Sequence, residues 1–190
     1  MLIEAQMVPM PVTAGEKFRE AIYFFDRMIE TNTNVYLFPF HFSAFLSALR
    51  SVTFYLQAQF RGKPVFEEWY DKKQQEMRGD QLLRMLKDMR DEALHARPIE
   101  LQFLHGPTIP AEGIETTHLE IGATTDEKGE VRTSIKVGVD GEKTEVPPVV
   151  HWVVHLPDEA DEIHILTACD SGLRKIKALL EEWNELSKQN

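Results

Sequence analysis

The stretch "FPFHFSAFLSALRSVTFYLQAQF", residues 38–60, constrains the fold more than any other part of this chain. Phe42, Phe45, Leu46, Leu49, Val52, Thr53, Leu56 and Phe60 follow the i, i+3, i+4, i+7 spacing of one helical face. The back of that helix is barely more polar, since Ala44, Ala48, Phe54 and Tyr55 lie there. A helix apolar almost all round must be covered on every side. It belongs at the centre of its own bundle or against a second subunit.

Its neighbours in sequence supply the cover. From Ala14 to Glu30, Phe18, Ile22, Phe25 and Ile29 recur at spacings of four and three and define one apolar face. "VFEEWYDKKQQEM" reads as a shorter helix carrying Phe66, Trp69 and Tyr70. Asp80 is the expected N-cap of a fourth helix, whose buried face holds Leu82, Leu86, Met89 and Ala93.

After Pro98 the hydrophobic period changes to two. "IELQFL", "THLEIGAT", "VRTSIKVGV" and "VVHWVVHL" read as strands, with "DEKGE" and Asp140-Gly141 as turns between them. The chain closes on "ACDSGLRKIKALLEEWNELSKQN", an amphipathic helix displaying Leu173, Ile176, Leu180 and Trp183. The expected fold class is therefore α+β: an antiparallel helical bundle, then an antiparallel β-meander, then a C-terminal amphipathic helix. The expected units are 14–97 for the bundle and 98–190 for an acidic, strand-rich region packed on it.

Charge divides the chain at the same place. The net charge of −10 argues against a protein that coats nucleic acid by bulk electrostatics. Residues 1–97 carry 13 Lys/Arg against 13 Asp/Glu, however, and residues 98–190 carry 8 against 18. An anion would meet the first half more easily. The single Cys169 permits no internal disulfide and fits a reducing compartment. With no signal peptide or membrane-length apolar run, the sequence reads as cytoplasmic with no membrane partner.

The candidate chemistry sits in "RDEALH", residues 90–95. On a helical wheel Arg90 lies beside Leu83 and Leu86, so its stem starts against the core. A guanidinium held there calls for an anion. Asp91, one turn before His95, could accept a hydrogen bond from its ring. Arg90 and His95 diverge by about 140° on an ideal helix. Either Pro98 unwinds the last turn, or a second copy of the helix brings its own Arg and His across a twofold axis. In the plainer alternative, Arg90 snorkels to a carboxylate and His95 sits at the negative end of its helix dipole.

An arginine, a polar residue, three more residues and a histidine, late in a helical bundle, resemble the motif of the HEPN superfamily. Arg90, Asp91 and His95 stand at the matching places, and the resemblance covers residues 16–97. It implies a metal-independent endoribonuclease acting as a homodimer, with RNA as substrate and a toxin–antitoxin setting in which an antitoxin or other protein binds. RNA carries its own nucleophile in the 2′-hydroxyl, so such an enzyme needs no cofactor and no metal. His95 would act as base or acid, and Arg90 would neutralise the phosphorane. Asp91 would orient His95. Arg84, Lys87 and Arg97 are candidates to hold the RNA. The alternative within the same resemblance is a non-catalytic module that binds RNA, a nucleotide or a protein partner.

Other residues point less far. His151 and His155 share a strand face but stand about 13 Å apart, too far to ligate one ion directly. His118 and His164 add no assignable metal set. Cys169, beside Asp170 and Ser171, is read as buried or capping. Trp69 and Tyr70 are read as core residues before base-stacking ones, and 158–162, "DEADE", as a solvated loop.

Overall fold

The computed structural model describes residues 13–95, 102–107, 118–139, 142–146, 148–155 and 162–188, with side chains described over 13–93, 125–130, 152–153 and 164–188. The first four helices are α1 (Ala14–Glu30), α2 (Leu37–Phe60), α3 (Pro64–Gly79) and α4 (Gln81–His95). Each begins where its local chemistry dictates. Thr13 and Glu16 form a reciprocal capping box at α1. Pro64 opens α3, where its missing N–H costs nothing. Asp80 accepts a hydrogen bond from the Leu83 amide at 3.0 Å and caps α4 as expected.

As its composition requires, α2 is the most deeply buried helix. Phe38, Phe42, Phe45, Leu46, Leu49, Val52 and Leu56 all lie in the core. Helix α1 packs along it, with Ala14, Ala21 and Met28 buried while Ile22 and Ile29 remain exposed. This corrects the expected face of α1. Of that face Phe18 and Phe25 do pack against the core, while Ile22 and Ile29 give way to Ala14, Ala21 and Met28.

Six strands follow: β1 (Gln102–Pro107), β2 (His118–Thr125), β3 (Val131–Val139), β4 (Glu142–Val146), β5 (Pro148–His155) and β6 (Glu162–His164). The last element is α5 (Ile165–Lys188). The expected fold class does not hold. Helix accounts for 82% of the residues described in full. The strand backbones do not form one continuous meander; β1 pairs with β5 and β5 with β6, apart from β2, β3 and β4. Helix α5 meets β5 and β6 as well as the helices. It returns to the bundle, and its Ile165, Ala168, Cys169, Leu173, Ile176, Leu179 and Trp183 are buried. A period of two marks strands but cannot say which of them pair, and the same stripe on α5 would fit either half.

Helices and strands meet at the loop between α1 and α2. The buried Asn34 accepts the amides of Tyr36 and Leu37 through Oδ1, capping α2 from within the loop. Its Nδ2 donates to the Glu130 carboxylate at 2.6 Å and to the Lys128 carbonyl. Trp152 of β5 lies flat on Phe38, ring centroids 4.4 Å apart, and donates its Nε1–H to the Asn32 carbonyl. Gly129, with φ of 82°, turns the chain under the Tyr36 ring, which leaves no room for a Cβ. Among the described residues, no helix is long and apolar enough to cross a membrane.

Candidate binding groove

Two adjoining clefts run where α2, α3, α4 and α5 converge. The larger, about 230 Å³, lies between the α3–α4 corner and α5. The smaller, about 60 Å³, continues between α2 and α4. Met77, Leu83 and Ile176 line both, so the two form one groove with a shared apolar floor.

The larger cleft has a closed rim. Lys73 pairs with Glu76 and with Glu182, and Glu182 also accepts the indole N–H of Trp69 at 2.8 Å. Lys175 pairs with Asp80. Burial works against the charge of Asp80, but hydrogen bonds from Lys175 and the Leu83 amide prevail and hold its carboxyl below the usual range. The same contest lowers Glu182, whose hydrogen bonds come from Trp69 and Lys73.

The smaller cleft is different. Leu46, Leu49, Leu83 and Leu86 form its wall, and Arg50 and Lys87 stand at its mouth. Arg50 donates through Nη1 to Thr53 Oγ1 at 2.9 Å, and its guanidinium lies 4.3 Å over the half-exposed ring of Phe54. Thr53 is itself fixed, because Tyr70 donates its hydroxyl to the Thr53 carbonyl. Burial pushes the Tyr70 phenol up, so that donor stays protonated at neutral pH. No carboxylate among the described residues lies within ion-pair distance of Arg50. The guanidinium is held in place on an aromatic ring beside an apolar slot, with no carboxylate paired to it among the described residues.

Of the described residues expected around "RDEALH", Lys87 lines the smaller cleft, while Arg90 and Asp91 line neither. Arg90 Nη1 reaches Asp91 Oδ1 at 2.8 Å, and Lys87 Nζ reaches Asp91 Oδ2 and Asp88 Oδ1, each at 3.0 Å. Hydrogen bonds from Arg90 and then Lys87 hold the Asp91 carboxyl below its ordinary range, and those from Asp91 and Asp88 raise the Lys87 ammonium. Both oxygens of Asp91 thus face cations on its own helix. The Nε–H of Arg90 is buried without a hydrogen-bond partner. Arg84 is exposed on α4, away from the groove lining. His95 ends α4, with its side chain outside the described residues, as is all of Arg97. The histidines expected on strands, His118, His151 and His155, also have side chains outside them, and 158–161 of the acidic loop lie outside altogether.

Trp69 and Tyr70 belong to an aromatic cluster with Phe60, Phe66 and Trp183 and are buried at 9% and 4% exposure. They offer no face for a base to stack on. Cys169 is fully buried, and desolvation pushes its thiol well above the ordinary value, which makes it inert near neutral pH. Arg50 was absent from the expected site. Its signal was nevertheless in the sequence, as the only Lys or Arg between residues 38 and 60 of an otherwise apolar helix.

Comparison with known proteins replaces the resemblance drawn from "RDEALH". A family model described as Bacteriophage lambda protein ea47 matches residues 13–125, more than half the chain. The matched span takes in the whole bundle through α4, so the HEPN resemblance is overturned there. A single Arg–His spacing at a helix end is too short a pattern to separate two helical families. Neither the curated proteins nor the solved structures contain a match.

Proposed function

We propose a reading that starts from one premise: the chain belongs to the bacteriophage lambda protein ea47 family. It is a non-catalytic interaction module, and its groove takes a short segment of a protein partner that carries apolar and acidic side chains. The observation that carries this is Arg50, preorganised on Phe54 and Thr53 without a carboxylate, at the mouth of a slot walled by leucines. A carboxylate arriving there would meet a planar donor fork whose ordering cost is already met. An adjacent leucine-sized side chain would find the apolar wall. Single-stranded RNA would also bring negative charge, but it binds through stacking on exposed aromatic faces; Trp69 and Tyr70 face the core, and the half-exposed Phe54 ring already carries Arg50 on one face. Catalysis would need a base with a free lone pair near Arg90. The described groups beside it are Asp91, which is bound to both Arg90 and Lys87, and the Lys87 ammonium, which has no lone pair to offer. The reducing cytoplasm suits a buried free thiol and completes the reading.

Backbone amide NMR of the full chain tests it. Titration with the blocked peptide acetyl-Leu-Glu-Leu-amide should shift Leu49, Leu83, Leu86 and Ile176, and Arg50→Ala should remove those shifts. Equal shifts with acetyl-Leu-Lys-Leu-amide would overturn the charge argument. Shortening of an RNA in chelator by the wild type but not by Arg90→Ala would overturn the non-catalytic reading altogether.

A further inference from the structure

Helix α1 shows solvent a second kind of surface, remote in chemistry from the groove. Arg19, Ile22, Tyr23, Asp26, Ile29 and Glu30 are its exposed residues after Lys17. Ile22 is 38% exposed, Tyr23 55% and Ile29 51%, which is unusual for three large apolar side chains on one helix. Gly15, Arg19, Ile22, Asp26 and Ile29 are spaced four, three, four and three, the seam spacing of a two-helix coiled coil. The core face of α1, Ala14, Ala21 and Met28, is a separate stripe already packed on the bundle.

The charges in the seam are unanswered among the described residues. Lys17 pairs with Glu20 and Arg27 with Glu30, whereas Arg19 and Asp26 have no ion-pair partner among the described residues. Their positions are symmetric, each the same number of residues from the midpoint between Ile22 and Tyr23. A contact between identical surfaces must be self-complementary about a twofold axis. Set two copies of α1 antiparallel about that midpoint, and Arg19 of each faces Asp26 of the other, twice. The two isoleucine–tyrosine centres then meet, and Glu30 arrives opposite the side-chain-free Gly15. A parallel pairing would set Arg19 against Arg19 and Asp26 against Asp26, so polar seam residues select both direction and register.

We propose that a second copy of this chain packs on the exposed face of α1, antiparallel, with two Arg19–Asp26 ion pairs flanking Ile22 and Tyr23. The equal numbers of Lys/Arg and Asp/Glu over residues 1–97 remove the net repulsion that a chain of charge −10 would otherwise bring to the contact. One helix pair is a small interface, at the lower end of those that hold specific dimers, so the assembly is one of micromolar strength.

Analytical ultracentrifugation of the full chain tests this, with far-UV circular dichroism as a check that each variant folds. The wild type is expected to dimerise across the micromolar range. Arg19→Asp and Asp26→Arg should each weaken the dimer by about tenfold or more, since each puts like charges face to face twice. The double exchange, Arg19→Asp with Asp26→Arg, should restore wild-type association. Arg50→Ala should leave association unchanged, which separates this contact from the groove. A wild type that stays monomeric at submillimolar concentration overturns the proposal. So does a dimer indifferent to the single changes, and a double exchange that stays as weak as either single change overturns the antiparallel register.

Discussion

At the scale of the residue, Asn34 has the most concentrated set of duties. One side-chain amide caps α2 through its oxygen and latches the β2–β3 turn through its nitrogen. Asn34→Asp keeps the oxygen that caps but loses the donor and turns a carboxylate toward Glu130. Asn34→Ala loses both duties without adding a charge. Urea unfolding should show the aspartate variant as the less stable of the two, with losses of about 2–4 and 1–3 kcal/mol respectively. An aspartate variant nearly as stable as the wild type would mean that the latch to Glu130 contributes little. Cys169 gives a second test at this scale. Buried and held as a thiol, it should stay unreactive toward a disulfide reagent at pH 7 until urea unfolds the chain. Of the site, the sequence revealed Arg90 beside Asp91 but not their mutual engagement, because spacing says which residues are near and not which of several partners each takes. Arg50 was legible as a lone cation on α2; its meaning depended on Phe54, Thr53 and Tyr70, which fold brings to it.

At the scale of the element, helix contacts are set by small residues as much as by large ones. Gly172 on α5 is the sharpest case. A Cβ there would sit 2.6 Å from Leu86 Cδ1 and 3.5 Å from Leu49 Cδ2, between α4 and α2. Gly172→Ala should gain helix propensity and still lose about 1–3 kcal/mol to overpacking. Adding Leu86→Ala should relieve the clash, so thermal unfolding of the pair should show less than the summed loss. The same logic explains α1. Hydrophobic periodicity weights Phe18, Ile22, Phe25 and Ile29, but Ala14 and Ala21 are what permit close approach, and alanine barely registers on that scale. Of the two places open to a nearly all-apolar helix, the centre of its bundle or a second subunit, α2 packs in the core while leaving Phe40 and Phe54 exposed. The pairing of β2 with β3 and of β3 with β4 follows the turn signals between them, whereas that of β1 with β5 was not legible, since alternation fixes a face and leaves a distant neighbour open.

At the scale of the whole molecule, the carboxylates that tie elements together set the response to acid. Asp80 joins α4 to α5, and Glu182 joins α5 to α3; both titrate below their ordinary values. Their unfolded forms therefore take up protons first as pH falls. The stability they contribute is complete above the unfolded pKa values, near 4, and is lost as pH drops through the lower folded ones. Chemical unfolding from pH 7 to pH 2 should show stability falling below about pH 4. Asp80→Asn should start lower and fall less steeply. A slope identical to that of the wild type would mean that the Lys175 contact is too loosely held to matter.

The return of α5 to the bundle has a consequence for synthesis. Helix α4 ends at His95 and α5 begins only at Ile165. At about 5–20 residues per second, translation leaves the first four helices waiting roughly 5–19 s for their completed closing partner. Throughout that interval Leu49, Leu86, Trp69 and the floor around Met77 stand uncovered on the nascent chain. A ribosome that stalls anywhere in the strands would release a polypeptide with most of its helices formed and its seam open, a natural client for a chaperone or a protease.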